Sequence, residues 1–224
     1  MIPFRNLAET RTPDGSRFSL HEHQGEFFIK LNGRQLMGSN STSSELLLAD
    51  LTCNFRRPVD RPGILIGGLG LGFSLRRVLE LAGPNAAVRV AELMPEVVAW
   101  NREFLMELNG MLLDDPRVEV VTGDVFDCIN NAPARYDAIL LDVDNGPTSF
   151  VQEKNSRLYS AKGLAMIRRS LKPCGRVAIW SAAPEPAFPA SLTRAGFRSE
   201  EIEAKSHERA KRAAHRIYVG EVRD

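Results

Sequence analysis

A glycine-rich turn between a strand pattern and a helix pattern constrains this chain more than any other feature. The apolar run at 64–66 is bounded by glycines and predicts a buried strand, and residues 73–81 then switch to helical spacing. Gly68, Gly70 and Gly72 alternate between them, so the backbone can turn tightly and present its N–H groups to a ligand above the strand. A plain turn also uses glycines, but a preceding strand and a following helix are the context that a nucleoside-binding turn requires.

Glu92 is a second candidate binding residue. Residues 87–91 predict the next strand, and Glu92 stands at its carboxyl end, twenty positions after Gly72. Ligands of open α/β sheets bind outside the carboxyl ends of the strands, where a carboxylate can accept both hydroxyl hydrogens of a ribose. A solvated loop glutamate is the alternative, and the position and spacing favour the ribose role.

Strand and helix patterns alternate along the rest of the chain. The predicted helices cover 72–82, 95–109, 124–130, 156–171 and 186–195. The intervening strands are rich in Val, Ile and Leu, which predicts an α/β, Rossmann-like fold with a mostly parallel sheet covered by helices on both faces. No helix separates the last two strand patterns, 197–204 and 215–222, so these strands should pair as an antiparallel C-terminal end of the sheet.

A small N-terminal β module should precede this core. Residues 16–37 predict a β-hairpin or meander, because two strand patterns flank short polar turns. A polar run then leads into a short helix that Ser43 or Ser44 caps and whose first turn contains Glu45. A basic, proline-broken linker follows, so we divide the chain into a module at 1–60 and a nucleoside-binding domain at 61–224.

Composition excludes several classes of function. The 224 residues have a formal net charge of +1, which gives no basic field for nucleic acid or a membrane surface. The three cysteines are isolated and form no zinc-binding spacing, and neither a signal peptide nor a spanning segment is evident, so we expect a cytoplasmic protein without a metal. The basic segment 205–216 is better explained as a solvated loop than as a polyanion site.

Acidic residues also follow two later strands. Asp124, next to Val125, either caps the following helix or accepts a hydrogen bond from an adenine amino group. Asp142 follows a buried strand and can remove a proton from an amine or hold a cation, with a strand-end cap as the alternative. Because the sites converge on one edge of the sheet, we favour function for Asp142 and leave Asp144 open.

The chain resembles the spermidine/spermine synthase (polyamine aminopropyltransferase) family, which has the class I S-adenosylmethionine methyltransferase fold. The resemblance spans nearly the whole chain, through FFIKLNG, SSELLLADL, LIGGLGLG, VAELMPEVV, VVTGDVFD, YDAILLDVDNGP and RLYSAKGLAMIRRSLKPCGRVAIW. In that family the glycine turn reads G-G-G-D-G-G, one acid holds the ribose, a G-D pair meets the adenine and another acid activates the amine. The resemblance assigns these roles to Gly67, Gly68 and Gly72, to Glu92, to Asp124 with Val125, and to Asp142, and it puts Glu45 at the glutamate of the Tyr-(Gln/His)-Glu signature.

The departures from the family pattern lie in the reaction half of the site. Ser43 and Ser44 replace the tyrosine and the Gln or His, and Gly70 replaces the aspartate of the glycine turn. Asn145 replaces the second acid of the D-S-x-D motif, although Asp144 can stand in for it from one position earlier. A dicationic polyamine needs several anionic partners, so these changes affect the expected acceptor most.

Three functions remain in competition. The first is an aminopropyltransferase that uses decarboxylated S-adenosylmethionine and a small amine, with Asp142 and Asp144 as catalytic candidates and Glu45 and Asn145 at the acceptor. The second is a methyltransferase that uses intact S-adenosylmethionine on a small molecule, and the third is a nucleoside-binding protein without turnover. A homodimer is a further implication of the resemblance.

Overall fold

The computed structural model describes residues 3–55, 57–143, 156–207, 209–210 and 212–223. Among these residues, every helix is too short or too polar to cross a lipid bilayer. The strands form two sheets, one with four strands and one with seven.

The N-terminal sheet is an antiparallel meander whose strands lie in sequence order. Its strands are Arg5–Arg11 (β1), Arg17–His23 (β2), Glu26–Leu31 (β3) and Arg34–Gly38 (β4). The predicted meander at 16–37 is therefore present, but the sequence analysis missed β1. Its residues are mostly polar, so its strand conformation depends on pairing with β2 rather than on an apolar pattern of its own.

The main sheet has the strand order β10-β11-β9-β8-β5-β6-β7. Its strands are Gly63–Gly67 (β5), Ala87–Glu92 (β6), Val118–Thr122 (β7), Tyr136–Leu141 (β8), Leu171–Ser181 (β9), Phe197–Ala204 (β10) and His215–Val222 (β11). Strands β5 to β9 pair in parallel, whereas β11 pairs antiparallel with both β9 and β10. The predicted α/β class and antiparallel end are confirmed.

The helices cover the main sheet. They are Ser43–Cys53 (α1), Phe73–Leu81 (α2), Pro95–Glu103 (α3), Met106–Asn109 (α4), Val125–Asn130 (α5), Ser156–Tyr159 (α6), Ala161–Ser170 (α7) and Phe188–Arg194 (α8). Two predicted helices are each divided in two, 95–109 into α3 and α4 and 156–171 into α6 and α7. Thr42, not a serine, precedes α1, and its side chain makes no capping hydrogen bond.

The N-terminal module and the main domain share one hydrophobic core. Leu20 and Ile29 of the small sheet belong to the same buried cluster as Ile66 of the central strand. The ring of Phe18 stacks on Trp100 of α3 with centroids 5.5 Å apart. Helix α1 packs on α2 and on strands of the main sheet. The division at residue 60 stays a prediction.

Candidate functional site

A cavity of about 290 Å³ lies where the N-terminal sheet meets the carboxyl ends of the main-sheet strands. Strand β5 has β6 on one side and β8 on the other, so the chain changes direction across the sheet at this point. Ligands of doubly wound folds bind in the crevice at such a switch point. The lining brings together most of the predicted site: Glu45, Gly68, Gly70, Glu92, Asp124, Val125 and Asp142.

The glycine turn after β5 depends on backbone conformations that other residues rarely adopt. Gly68, Gly70 and Gly72 have φ angles of 89°, 52° and 87°. A Cβ on Gly68 would collide with the carbonyl oxygen of Asp142, so the turn lies directly against the end of β8. Gly67 lies beneath the turn, where a Cβ would be 2.9 Å from a methyl group of Val125. The turn thus brings three strand ends together.

Glu92 is buried at the carboxyl end of β6, with 8% of its surface exposed. Its Oε2 accepts a hydrogen bond from the Leu69 N–H at 2.8 Å, and its Oε1 accepts one from the Met94 N–H at 2.9 Å. Burial raises the pKa of Glu92, while these backbone donors oppose the shift. The backbone of Gly70 and of Leu93 also lowers this pKa, so a ligand hydroxyl would share the remaining acceptor sites of the carboxylate with these groups.

Two asparagines that the sequence analysis did not select hold the outer side of the glycine turn. Asn101 of α3 donates through Nδ2 to the Gly70 carbonyl at 2.9 Å. Asn109 of α4 donates to the Leu71 carbonyl at 2.6 Å. The turn is therefore held from both sides, by Glu92 at its N–H groups and by these amides at its carbonyl groups. Asn101 is buried, and its position four residues after Val97, on the apolar face of the helix, is the sequence signal that could have identified it.

Asp124 caps helix α5, as one of its two predicted roles requires. Its Oδ1 accepts the Phe126 N–H at 2.8 Å, and its Oδ2 pairs with the Arg157 guanidinium at 2.5 Å. Arg157 also lies over the Phe126 ring, 4.0 Å from its centroid. Each Asp124 oxygen thus already has a partner, although Asp124 and Val125 both line the cavity.

Asp142 follows β8, which β5 separates from the Glu92 strand β6, and it lines the cavity together with Glu45. The Asp142 N–H donates to the Gly67 carbonyl at 2.9 Å, which places its side chain beside the glycine turn. Burial, together with the charge of Glu45, raises the pKa of Asp142 to about 8. Burial also raises the pKa of Glu45, opposed by hydrogen bonds from its own backbone and from Ser44. A cation that entered between them would lower both pKa values, so this part of the cavity suits an amine.

A side chain of the N-terminal module occupies part of the space beside Gly70. A Cβ on Gly70 would lie 2.9 Å from the sulfur of Met37, which comes from β4. Methionine is flexible and polarisable, so its side chain fills the space that an aspartate would take at position 70. The glycine turn therefore lacks the acid of the family pattern at position 70 and has the apolar side chain of Met37 beside that position.

Two aromatic residues complete the lining near Asp142. Trp180 is the last residue but one of β9 and His215 is the first of β11, and their ring centroids are 4.7 Å apart. Neither was selected in the sequence analysis, because each is a single residue in a strand pattern. Asp144 and Asn145, which were selected, lie outside the described residues. Within the described part of the chain, no group of three or more His, Cys, Asp or Glu side chains could hold a metal ion.

Comparison with known proteins agrees with this arrangement. A family model for the spermine/spermidine synthase domain matches residues 56–185, which is more than half of the chain. Polyamine aminopropyltransferase 1 of Streptomyces coelicolor is 36% identical over 123 residues, which cover 54% of this chain and 22% of that protein. Polyamine aminopropyltransferase 2 of Pseudomonas aeruginosa is 34% identical over 123 residues, which cover 53% of this chain and 33% of that protein. The matched segment therefore spans a third or less of these two relatives.

Solved structures extend the similarity to nearly the whole chain at the level of fold. A spermidine synthase in complex with the transition-state analogue AdoDATO has a TM-score of 0.73 at 18% identity, over 97% of this chain and 72% of that chain. Spermidine synthase from Thermotoga maritima has a TM-score of 0.74 at 16% identity, with the same coverage. Because the alignment covers nearly all of this chain, it includes the N-terminal module as well as the main sheet.

Proposed function

The chain belongs to the spermine/spermidine synthase family, and from this premise we propose that it transfers an aminopropyl group from decarboxylated S-adenosylmethionine to a small amine. The observation that carries the proposal is that one cavity is lined both by Glu92 with the glycine turn and by two further acids. We call the part of the cavity beside Glu92 and the glycine turn its nucleoside end, and the part beside Glu45 and Asp142 its acidic end. A transferase that joins a nucleoside sulfonium to an amine needs both ends in one space.

The donor occupies the nucleoside end in this proposal. The lone pairs of Glu92 that the backbone leaves unused accept the ribose hydroxyl groups. The adenine lies near Asp124 and Val125. Because Asp124 also binds the Phe126 N–H and the Arg157 guanidinium, it supports the wall of the pocket as well as contacting the adenine. Gly67, Gly68 and Gly72 let the backbone approach the donor closely.

The acceptor occupies the acidic end, where Asp142 removes a proton. The acceptor nitrogen attacks the methylene carbon through which the aminopropyl group is bound to the sulfonium sulfur. The bond between this carbon and the sulfur breaks, and its electron pair stays on the sulfur to leave neutral methylthioadenosine. The proton that the new secondary ammonium releases passes to the Asp142 carboxylate. Because the sulfonium is already an activated leaving group, the protein contributes mainly orientation and proton removal. Asp144 and Asn145 stay predicted contributors to this end.

Product analysis tests this proposal directly. The protein is incubated with each sulfonium donor and a panel of amines, and the products are identified by mass spectrometry. We expect an aminopropyl adduct of an amine together with methylthioadenosine. A methyl adduct would replace the proposal with methyl transfer, and the absence of any adduct would favour a nucleoside-binding protein without turnover.

Methyl transfer is the second candidate because of Gly70. The family aspartate at this position would attract the ammonium end of the decarboxylated donor and repel the carboxylate of the intact one. Here the Met37 side chain takes its place, so that repulsion is absent. The turn also leaves backbone N–H groups at the start of α2, which favours an anion such as the methionine carboxylate.

We expect the wild-type protein to bind intact S-adenosylmethionine at least as tightly as the decarboxylated donor, and Gly70→Asp to shift this preference roughly tenfold or more toward the decarboxylated form. The φ angle of 52° is one that Asp and Asn tolerate better than other residues, and the Met37 side chain can move aside. Parallel calorimetric titrations with both donors measure the preference.

Gly70→Asn is the matched control, because it adds the same bulk without the charge. Its donor preference should stay close to that of the wild type. A wild type that strongly prefers the decarboxylated donor would rule out this reading of Gly70.

The homodimer and the cytoplasmic location stay predictions. Analytical ultracentrifugation would measure the mass of the protein in solution, and fractionation of cells would test its location.

A further inference from the structure

The N-terminal sheet turns an apolar face toward the cavity. Phe18 of β2 pairs with Leu31 of β3 in the strand register. Ile29 of β3 pairs with Met37 of β4. Cross-strand partners lie on the same face of a sheet, and so do alternate residues of one strand, so these four side chains share one face. All four line the cavity, and we call them, together with Leu36, the apolar wall.

A β-bulge adds Leu36 to this wall. Ile29 pairs with Met37. The next residue of β3, Lys30, pairs with Gln35, so Leu36 has no partner in the register. A bulge can re-aim a side chain that regular alternation would point to the other face, and Leu36 and Met37 both line the cavity although they are adjacent in sequence. Leu36 is 38% exposed and Met37 is partly exposed, so a ligand can contact both side chains.

The apolar wall begins close to the acidic end of the cavity. A Cβ on Gly70 would lie 2.9 Å from the sulfur of Met37, and a Cβ on Gly68 would collide with the carbonyl oxygen of Asp142. Two residues of chain span at most about 7 Å, so one small molecule can extend from Asp142 to Met37. Along β3 the wall then continues for two residues to Leu31, which is a further distance of about 7 Å.

The described lining has no acidic partner for a second positive charge along this wall. Among the described residues, the four strands of the N-terminal sheet contribute no charged side chain to the cavity lining. Besides Glu45 and Asp142, the lining acids are Glu92 and Asp124. Glu92 accepts backbone N–H groups, and Asp124 is paired with Arg157. An ammonium group that left water for the apolar wall would therefore lose its hydration without gaining a partner.

We propose that the apolar wall binds the carbon chain of the acceptor and selects a primary alkylamine with a single positive charge over a diamine. This inference rests on the proposed function, which assigns the acceptor amine to Asp142 and Glu45. The amino group lies toward these two carboxylates, and the carbon chain passes Met37 and lies along Ile29 and Leu31. Each methylene group that leaves water on this wall strengthens binding through the hydrophobic effect.

Calorimetry with the protein saturated with methylthioadenosine tests the inference without requiring turnover. The probes are straight-chain amines of four, five and six carbons, each as the monoamine and as the diamine of the same length. We expect each monoamine to bind at least tenfold more tightly than its diamine, because the second ammonium group would lie on the wall without an acidic partner. The affinity of the monoamines should increase about two- to fourfold for each added carbon.

Leu36→Asp places a carboxylate on the apolar wall, and it should reduce the preference for the monoamine to less than about threefold by strengthening the binding of the diamine. Met37→Gln makes the wall polar beside Gly70 and should reduce the gain per added carbon, which provides a second variant if the first does not fold. Leu81→Asp is the matched control, because it makes the same change at a leucine that is 40% exposed and lies outside the cavity. It should leave the preference unchanged.

Three outcomes would overturn the inference: a diamine that binds the wild type as tightly as its monoamine, an unchanged preference in a folded Leu36→Asp protein, or no binding of any amine. The proposed function fails in a different measurement. A preference for the monoamine without an aminopropyl product would support the apolar wall and contradict aminopropyl transfer. An aminopropyl product formed more efficiently from a diamine than from its monoamine would support the proposed function and contradict the selectivity of the wall.

Discussion

Asp142→Asn should lower kcat by roughly 10² to 10⁴-fold and leave the affinity for methylthioadenosine within about threefold of the wild type. The side chain lies at the acidic end of the cavity, beside the glycine turn, and β5 separates its strand from that of Glu92. An asparagine keeps the shape of the side chain and loses its ability to accept a proton. The variant should therefore bind donor and acceptor without joining them.

The pH dependence gives the same prediction a second measurement. The pKa of Asp142 is raised to about 8, so without ligands the carboxyl group carries a proton at neutral pH. The base is the ionised form, so kcat/KM should fall as the pH decreases through about 8, and bound cations should move the corresponding limb of kcat to lower pH. In Asp142→Asn, the decrease of kcat/KM at lower pH that comes from protonation of Asp142 should be absent.

The stability of the folded protein should depend on pH in the opposite direction from kcat/KM. Because the folded protein holds this proton more tightly than the unfolded chain, the contribution of Asp142 to stability decreases as the pH rises from about its ordinary pKa of 3.8 to about 8. Asp142→Asn should remove that decrease, which thermal unfolding of the unliganded protein across this pH range measures.

Asp114→Asn is the control for Asp142→Asn, because Asp114 is exposed and lies outside the cavity. It should leave both kcat and nucleoside affinity unchanged. If Asp142→Asn instead lost nucleoside binding while staying folded, Asp142 would be a donor ligand, and Asp144 would be the next candidate for the base.

Glu92→Gln should weaken the binding of methylthioadenosine by about 1 to 3 kcal/mol, which corresponds to a loss of about 5- to 150-fold in affinity. The wild-type carboxylate accepts the N–H groups of Leu69 and Met94 and still has lone pairs for a ribose. A glutamine has only one oxygen, so one of the two N–H groups would face an NH₂ group. Calorimetry measures the affinity, and thermal unfolding reports the strain in the glycine turn.

Glu103→Gln makes the same chemical change at an exposed position of α3 and should alter neither quantity. A Glu92→Gln protein with a lower melting temperature but unchanged nucleoside affinity would make Glu92 a support of the glycine turn alone. That result would remove Glu92 from the donor contacts and leave the backbone of the turn as the main binding surface.

Much of the site was accessible from sequence because its signals are local. A run of apolar residues followed by alternating glycines predicts a strand, a turn with positive φ and a helix, and all three are present around Gly68. The carboxyl ends of parallel strands meet at one edge, so Glu92, Asp124 and Asp142 could be expected to line one cavity.

Other features depended on contacts between distant segments. The predicted helix at 95–109 is divided near Phe104, and this division lets Asn101 and Asn109 reach the carbonyl groups of the glycine turn. Strand β1 has no apolar pattern and forms because β2 pairs with it. Periodicity within one segment contains no information about either interaction.

The sequence by itself determined the α/β class, the glycine turn and the acids at the strand ends, because strand and helix periodicity and the steric freedom of glycine act over a few residues. Only the tertiary structure decided what surrounds those acids. It set Glu45 near Asp142, filled the space at Gly70 with Met37, and paired Trp180 with His215 across β9 and β11. The pKa of a carboxylate and the partners left for a ligand are properties of that packing, since burial and neighbouring charges come from segments far apart in the chain.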